Sequence, residues 1–200
     1  MINLSEIADV SAGYSFRGKI EEQVGTGIRA IQMKDVSEER GLNRNTVVET
    51  SLPSKRVPDW LQAGDILFIA RGSRIFATLY DGAFKTAVAS PHFFVIRITN
   101  QNALPEFIAW QLNQMPARRY FDKEAEGSVA KSVKRTSLDK TPISLPDLQR
   151  QQAILKLHKN IHEQKLIHRE LINNADKLMK DIALNLEHDF ISQQEIEGRK

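Results

Sequence analysis

The spacing of apolar side chains changes once along this chain, at Asp147. Before that point apolar residues come in short runs, or alternate with polar ones, and Gly, Pro, Asn and Asp break the runs. From residue 147 to about residue 186 neither Pro nor Gly occurs, and apolar residues recur every three or four positions. The first pattern predicts strands and turns, the second a single helix of about 40 residues. Pro142 and Pro146 hold the approach extended, because Pro disfavours helical backbone in the residue before it. Asp147 then takes the N-cap position, with its carboxylate near the free N–H groups of the first turn.

Within the first region, residues 3–10 predict a short helix with Leu4, Ile7 and Ala8 on one face, closed by Gly13. Residues 14–19 form a loop with two aromatics and two bases, Arg17 and Lys19. Residues 28–34 alternate and predict a half-buried strand whose polar face carries Gln32 and Lys34. A turn over 41–45 leads to a short strand at 46–49. Residues 61–70 read as a turn feeding a buried strand, 71–74 as its exit loop and 75–79 as the return strand. Asp81-Gly82 marks a tight turn, and residues 85–89 and 92–98 add two strands around Ser90-Pro91. Pro105 opens a helix with Phe107, Ile108, Trp110, Leu112 and Met115 on its apolar face. Pro116 interrupts it and 117–125 resume it. Residues 127–137 form a polar loop with three bases and no acid. The expected fold is α+β: a globular head with one curled, mixed or antiparallel β-sheet and flanking helices, followed by one long C-terminal α-helix. The expected boundaries are 1–146 for the head, 147–188 for the helix and 189–200 for a polar tail.

The helix has a seam. Counting in alternating threes and fours from Ile154 gives Leu157, Ile161, Gln164, His168, Leu171, Ala175, Leu178 and Ile182. Only the two central positions are polar, which is how paired helices fix register or orientation. Leu155, Leu166, Ile167, Ile172, Met179 and Leu186 widen the stripe. Such a helix alone exposes too much apolar surface, so it requires a partner helix, or else folds back on its own head.

Composition narrows the setting. With 41% hydrophobic and 26% charged residues the chain is of the soluble globular kind. No apolar run is long enough to span a bilayer and no signal peptide follows Met1, so no membrane association is expected. The absence of Cys excludes disulfides and thiolate metal sites and fits a cytoplasmic location. Residues 147–200 hold nine Lys/Arg and nine Asp/Glu, whereas residues 1–146 hold 19 and 16. The whole net charge of +3 therefore sits on the head, which points to a polyanionic partner.

Catalytic spellings fail on context. Gly25-Thr26-Gly27 is followed by a strand, whereas a dinucleotide site needs a strand before its glycines and a helix after them. Pro146-Asp147 with Glu163-Gln164-Lys165 spells a nuclease signature, but these carboxylates lie on one helix instead of converging from adjacent strands. His158 and His162 are one turn apart and lack a third ligand, so they read as solvated histidines and no metal is expected. No Ser-His-Asp grouping stands out. No Pro-Pro pair exists, so the amino-methyltransferase motif is absent. What remains are basic loops: Arg17/Lys19, Gln32/Lys34, Arg71/Ser73/Arg74, Lys85 and the bases of 128–135. Arg and Lys neutralise phosphates there, while Arg, Gln, Ser and Asn can reach base edges.

Ordered pieces of the chain carry a family likeness. They are Leu4-Ser5-Glu6-Ile7-Ala8 with Gly13-Tyr14-Ser15-Phe16, Ile31-Gln32-Met33-Lys34-Asp35-Val36, Leu61-Gln62-Ala63-Gly64-Asp65-Ile66-Leu67, Ala89-Ser90-Pro91-His92-Phe93 and Gly127-Ser128. The closest is Ile143-Ser144-Leu145-Pro146-Asp147-Leu148-Gln149-Arg150-Gln151-Gln152-Ala153-Ile154. Together they resemble the DNA-specificity subunit of type I restriction–modification systems. The resemblance implies a target-recognition domain reading half of a split sequence in double-stranded DNA, then one conserved helix that pairs antiparallel as a coiled coil. Family members usually carry two such units; this chain has one, and so resembles a half-subunit that would homodimerise through Ile154, Leu157, Ile161, Leu171, Ala175, Leu178 and Ile182. It further implies docking to methyltransferase subunits, and to a restriction subunit where one exists. The chain itself is then non-catalytic and cofactor-free, with S-adenosylmethionine, ATP and Mg belonging to the partners. Ser15, Arg17, Lys19, Gln32, Lys34, Arg71, Ser73, Arg74, Lys85, Ser128, Lys131, Ser132, Lys134 and Arg135 are the candidate DNA contacts. A dimeric scaffold or inhibitor that occupies the methyltransferase without reading DNA is the alternative.

Overall fold

The computed structural model describes residues 1–16, 18–53, 58–72, 75–125 and 132–197, with side chains described as far as residue 187. The chain divides into two compact units, Met1–Leu155 and Lys156–Lys200. The first is built on a four-stranded antiparallel sheet. Its strands are β2 (Ala8–Ala12), β7 (Ile66–Ile69), β8 (Phe76–Leu79) and β10 (Phe93–Ile98), in the order β2-β10-β7-β8. A second, mixed sheet joins β6 (Val48–Glu49), β3 (Arg29–Ile31) and β9 (Ala87–Ala89), with β3 and β9 parallel. Two small antiparallel pairs complete the strands: β1 (Ile2–Asn3) with β11 (Pro142–Ile143), and β4 (Val36–Ser37) with β5 (Gly41–Leu42). The fold is thus α+β as expected, with its strands spread over several sheets instead of one curled sheet.

The apolar run at 66–69 has a direct structural reason. Successive strand side chains point to opposite faces, and both faces of this sheet are covered. Ile66 and Phe68 face a core formed with α1 (Pro105–Leu112) and α2 (Met115–Glu124), through Phe107, Ile108, Leu112 and Phe121. Leu67 and Ile69 face a second core with Ile31, Ala87 and Ala89 of the mixed sheet. β10 divides in the same way, Ile96 going to the first core and Phe93 and Val95 to the second.

Several local readings change: Pro116 lies in the first turn of α2 instead of interrupting α1, Met115 is exposed, and Thr46 belongs to a 3-10 turn ahead of β6. Residues 3–10 are not a helix: Leu4–Glu6 make one 3-10 turn, in which the Asn3 N–H donates to Glu6 Oε1 at 2.6 Å, and β2 follows. Ala8 and Val10 alternate inward against β10, and that distant pairing outweighs the helical spacing of Leu4, Ile7 and Ala8. The strand at 28–34 ends at Ile31, because Met33–Asp35 form a 3-10 turn whose Asp35 Oδ2 accepts from the Gln32 N–H at 2.8 Å. The loop read over 127–137 becomes helical at α3 (Arg135–Asp139).

α4 (Leu148–Glu197) starts where the sequence places it, with the Asp147 carboxylate accepting from the Arg150 N–H at 2.8 Å. The first compact unit nevertheless extends eight residues past Asp147, because Gln151 is fully buried and Ile154 and Leu155 pack against the head core. Ile154, placed in the dimer seam from its spacing, is therefore half-buried against its own head. No described helix is long and apolar enough to cross a membrane.

Candidate nucleic-acid interface

Three segments far apart in sequence meet at the β9–β10 turn. The Gly13 N–H donates to Phe93 O at 2.9 Å, the Tyr14 N–H to Ala89 O at 2.7 Å and the Ser90 N–H to Ile31 O at 2.8 Å. Gly13 is required by close approach: a Cβ at this position would lie 2.0 Å from Ser90 O. Its role is thus to admit the turn, not to close a helix. On the other side of the turn, Arg71 and Ser132 form an antiparallel bridge, supported by the Val133 N–H donating to Ala70 O at 2.9 Å.

This arrangement leaves two adjoining clefts that share Pro91 and His92. One, of about 370 Å³, is lined by Phe16, Lys19, Gln32, Lys34 and Ser90 among others. The other, of about 330 Å³, is lined by Arg71, Ser132, Lys134 and Arg135. Among the described residues no carboxylate lines either cleft. Lys19, Lys34 and Arg71 are exposed and form no ion pair among the described residues, whereas Arg135 has Asp139 at 3.7 Å. Ser90 Oγ is buried without a hydrogen-bond partner among the described residues.

Four other arginines are occupied in holding the fold. Arg97 forks onto Asp65 with both distances at 2.8 Å and reaches Asp59 at 3.0 Å; these carboxylates raise its pKa. Arg29 pairs with Glu49 at 3.4 Å and lies over the Phe84 ring. Arg44 pairs with Asp81 and Arg118 with Glu38. The Glu49 carboxyl is held below its ordinary value, first by the Gly27 N–H and further by Arg29.

Seven candidate contacts thus line the two clefts: Lys19, Gln32, Lys34, Arg71, Ser132, Lys134 and Arg135. Ser15 is exposed and lines neither; Lys85 is exposed beside β9 and also lines neither. Arg17, Ser73, Arg74, Ser128 and Lys131 lie outside the described residues. Sequence reasoning missed His92, exposed at the junction of the clefts. Its signal is a Pro-His turn between two strands that the basic loops flank. Among the described residues no group of three or more His, Cys, Asp or Glu could hold a metal ion.

Residues 1–176 match the family described as "Type I restriction modification DNA specificity domain". The chain belongs to that family. Solved structures agree on the fold. The HsdS subunit from Thermoanaerobacter tengcongensis is similar with a TM-score of 0.62 and 18% identity, over 88% of this chain and 45% of that one. The type I restriction–modification S subunit from M. genitalium matches with 0.53 and 13%, over 81% and 38%. A chain from a structure titled for complex assembly and conformational transition of the type I R-M system matches with 0.58 and 19%, over 82% and 38%. The chain thus spans less than half the length of these solved chains. No curated protein matches the sequence.

Proposed function

We propose that this member of the specificity-domain family is a sequence-reading subunit without an active site of its own. Its head binds one half of a bipartite target in double-stranded DNA. Two copies pair through α4 and present two heads to methyltransferase subunits, which carry S-adenosylmethionine and the methyl-transfer chemistry. ATP and Mg belong to a restriction subunit where one is present. A two-fold pair of identical heads reads a palindromic split site.

The observation that carries this reading is the pair of clefts lined by cations and, among the described residues, by no carboxylate. Lys19, Lys34, Arg71, Lys134 and Arg135 take phosphates, since cations clustered without carboxylates form the electrostatic footprint of a nucleic-acid site. Gln32, Ser132 and His92 take base edges, with Ser90 Oγ available from beneath, because amide, hydroxyl and imidazole groups both donate and accept. Ser15, Lys85, Arg17, Ser73, Arg74, Ser128 and Lys131 remain candidates for the rest of the footprint.

Footprinting of the chain on DNA, with and without methyltransferase subunits, tests the reading. Protection of two sequence-related half-sites is expected. Methyltransferase binding with no protection of any DNA sequence would favour a scaffold or inhibitor instead.

A further inference from the structure

The described side chains of the α4 seam beyond Leu155 are exposed: Leu157, Leu171 and Leu178 stand about 60% open, and Gln164, His168 and Ala175 are open as well. We propose that two copies of this chain pair antiparallel in one register, with Gln164 of each copy against His168 of the other. The inference rests on the pairing of two copies proposed above and adds the register that the seam specifies.

In an antiparallel pair of helices the two rows of a seam face each other across copies. One row is Ile154, Ile161, His168, Ala175 and Ile182; the other is Leu157, Gln164, Leu171 and Leu178. Setting Gln164 opposite His168 also sets Ile161 opposite Leu171, Leu157 opposite Ala175 and Ile154 opposite Leu178. The layers from Leu157 to Ala175 are then apolar on apolar except the centre, where an amide and an imidazole can each donate and accept; Ile154 also packs against its own head, and Ile182 falls opposite Arg150, outside the seam. The two-fold axis passes beside Leu166 and generates this central pair twice.

The neighbouring registers lack that match. A slip of one heptad in one direction puts Gln164 against Ala175 and His168 against Leu171. The opposite slip puts Gln164 against Ile161 and His168 against Leu157. Either one seals polar groups against hydrocarbon without partners. A parallel, in-register pair keeps polar on polar but stacks Ala175 on Ala175, which leaves a void. The antiparallel register instead places the small Ala175 against the large Leu157. Residues 147–200 carry nine acids and nine bases, so two copies of the helix meet without net repulsion.

The chain has no Cys, so a single spin label on Lys156→Cys reports the register directly. Lys156 is exposed and lies outside the seam. In the proposed register the two labels are about 20 residues apart along the helices, or about 30 Å at 1.5 Å per residue. A one-heptad slip moves the distance by about 10 Å in either direction, and a parallel pair brings it to the order of 10 Å. A dimeric mass with a single distance near 30 Å supports the register; a dimeric mass with any of the other distances overturns it. A monomeric mass at every concentration instead overturns the pairing itself. The double variant Gln164→Leu/His168→Leu makes the layers equivalent, so it is expected to stay dimeric and to show additional distances. An unchanged single distance in that variant would overturn the role assigned to the polar centre.

Discussion

The Leu104 N–H donates to Gln151 Oε1 at 2.9 Å, across 47 positions of sequence. The same amide donates through Nε2 to Asn102 O and to Pro146 O, both at 2.7 Å, and the residue is fully buried. One side chain in the second turn of α4 thus ties the helix to the residues that open α1 and to the proline before its own cap.

Gln151→Leu keeps the volume and removes three hydrogen bonds, leaving one backbone N–H and two carbonyls without these partners. Burying such groups unpaired costs about 1–3 kcal/mol each where they cannot be resolvated, so a loss of about 3 kcal/mol in denaturant unfolding is expected. Gln151→Glu is expected to be worse at neutral pH, because a carboxylate would face two carbonyl oxygens.

Asp65 is buried and accepts from Arg97 twice and from the Gln62 N–H at 2.8 Å. Arg97→Met leaves that carboxylate without its cation, which costs about 3 kcal/mol or more for a buried charge. Adding Asp65→Asn should recover part of the loss, and a double-mutant cycle in urea measures the coupling.

The legible parts of the fold were those whose signal is local. The apolar runs of β7 and β10, Pro105 at the start of α1 and Asp147 at the cap of α4 each carry their reason within a few residues. Residues 3–10 misled because Leu4, Ile7 and Ala8 fit a helical face, while the pairing of β2 with β10 is set some 85 residues away. The basic residues of the clefts were legible as types. That Arg71 and Ser132 form a bridge, or that Gly13 must admit Ser90, depends on contacts no local window contains. His92 was passed over for the same reason, since only the meeting of the two clefts sets it apart.

Tyr80 is fully buried, its hydroxyl donating to Phe84 O at 2.8 Å and accepting from the Phe84 N–H at 2.9 Å. Burial, as the largest cause, raises its pKa above the ordinary value. As pH rises, the unfolded chain loses this proton first, at about pH 10. The contribution is therefore complete below about pH 10 and is lost as pH climbs toward the higher folded value. Tyr80→Phe is expected to flatten this part of the alkaline decline while costing about 1–3 kcal/mol at neutral pH, read from unfolding midpoints across pH.

Gly13→Ala places a methyl group on the Ser90 carbonyl, a backbone atom that cannot swing aside. A loss of about 2–3 kcal/mol is expected from overpacking, together with weakened DNA binding, because the β9–β10 turn separates the two clefts. A thermal melt and a binding titration on the same preparation check both.

Lys19→Ala/Lys34→Ala/Arg71→Ala removes three exposed cations that have no ion pair among the described residues. Each phosphate contact contributes about 0.9 to the slope of log affinity against log salt. The triple variant should therefore lose up to about 3 in slope and bind roughly tenfold or more weakly, with its unfolding midpoint nearly unchanged. Fluorescence anisotropy over a salt series is the measurement.

The central claim, that this head reads DNA and acts in pairs, is tested most directly by selection. The purified chain, with methyltransferase subunits present, is offered a library of random-sequence duplexes and the bound fraction is sequenced. Enrichment of a split palindrome, with half-sites at one fixed spacing, is the result predicted. Retention of DNA with no enriched sequence, or of no DNA at all, would contradict the account.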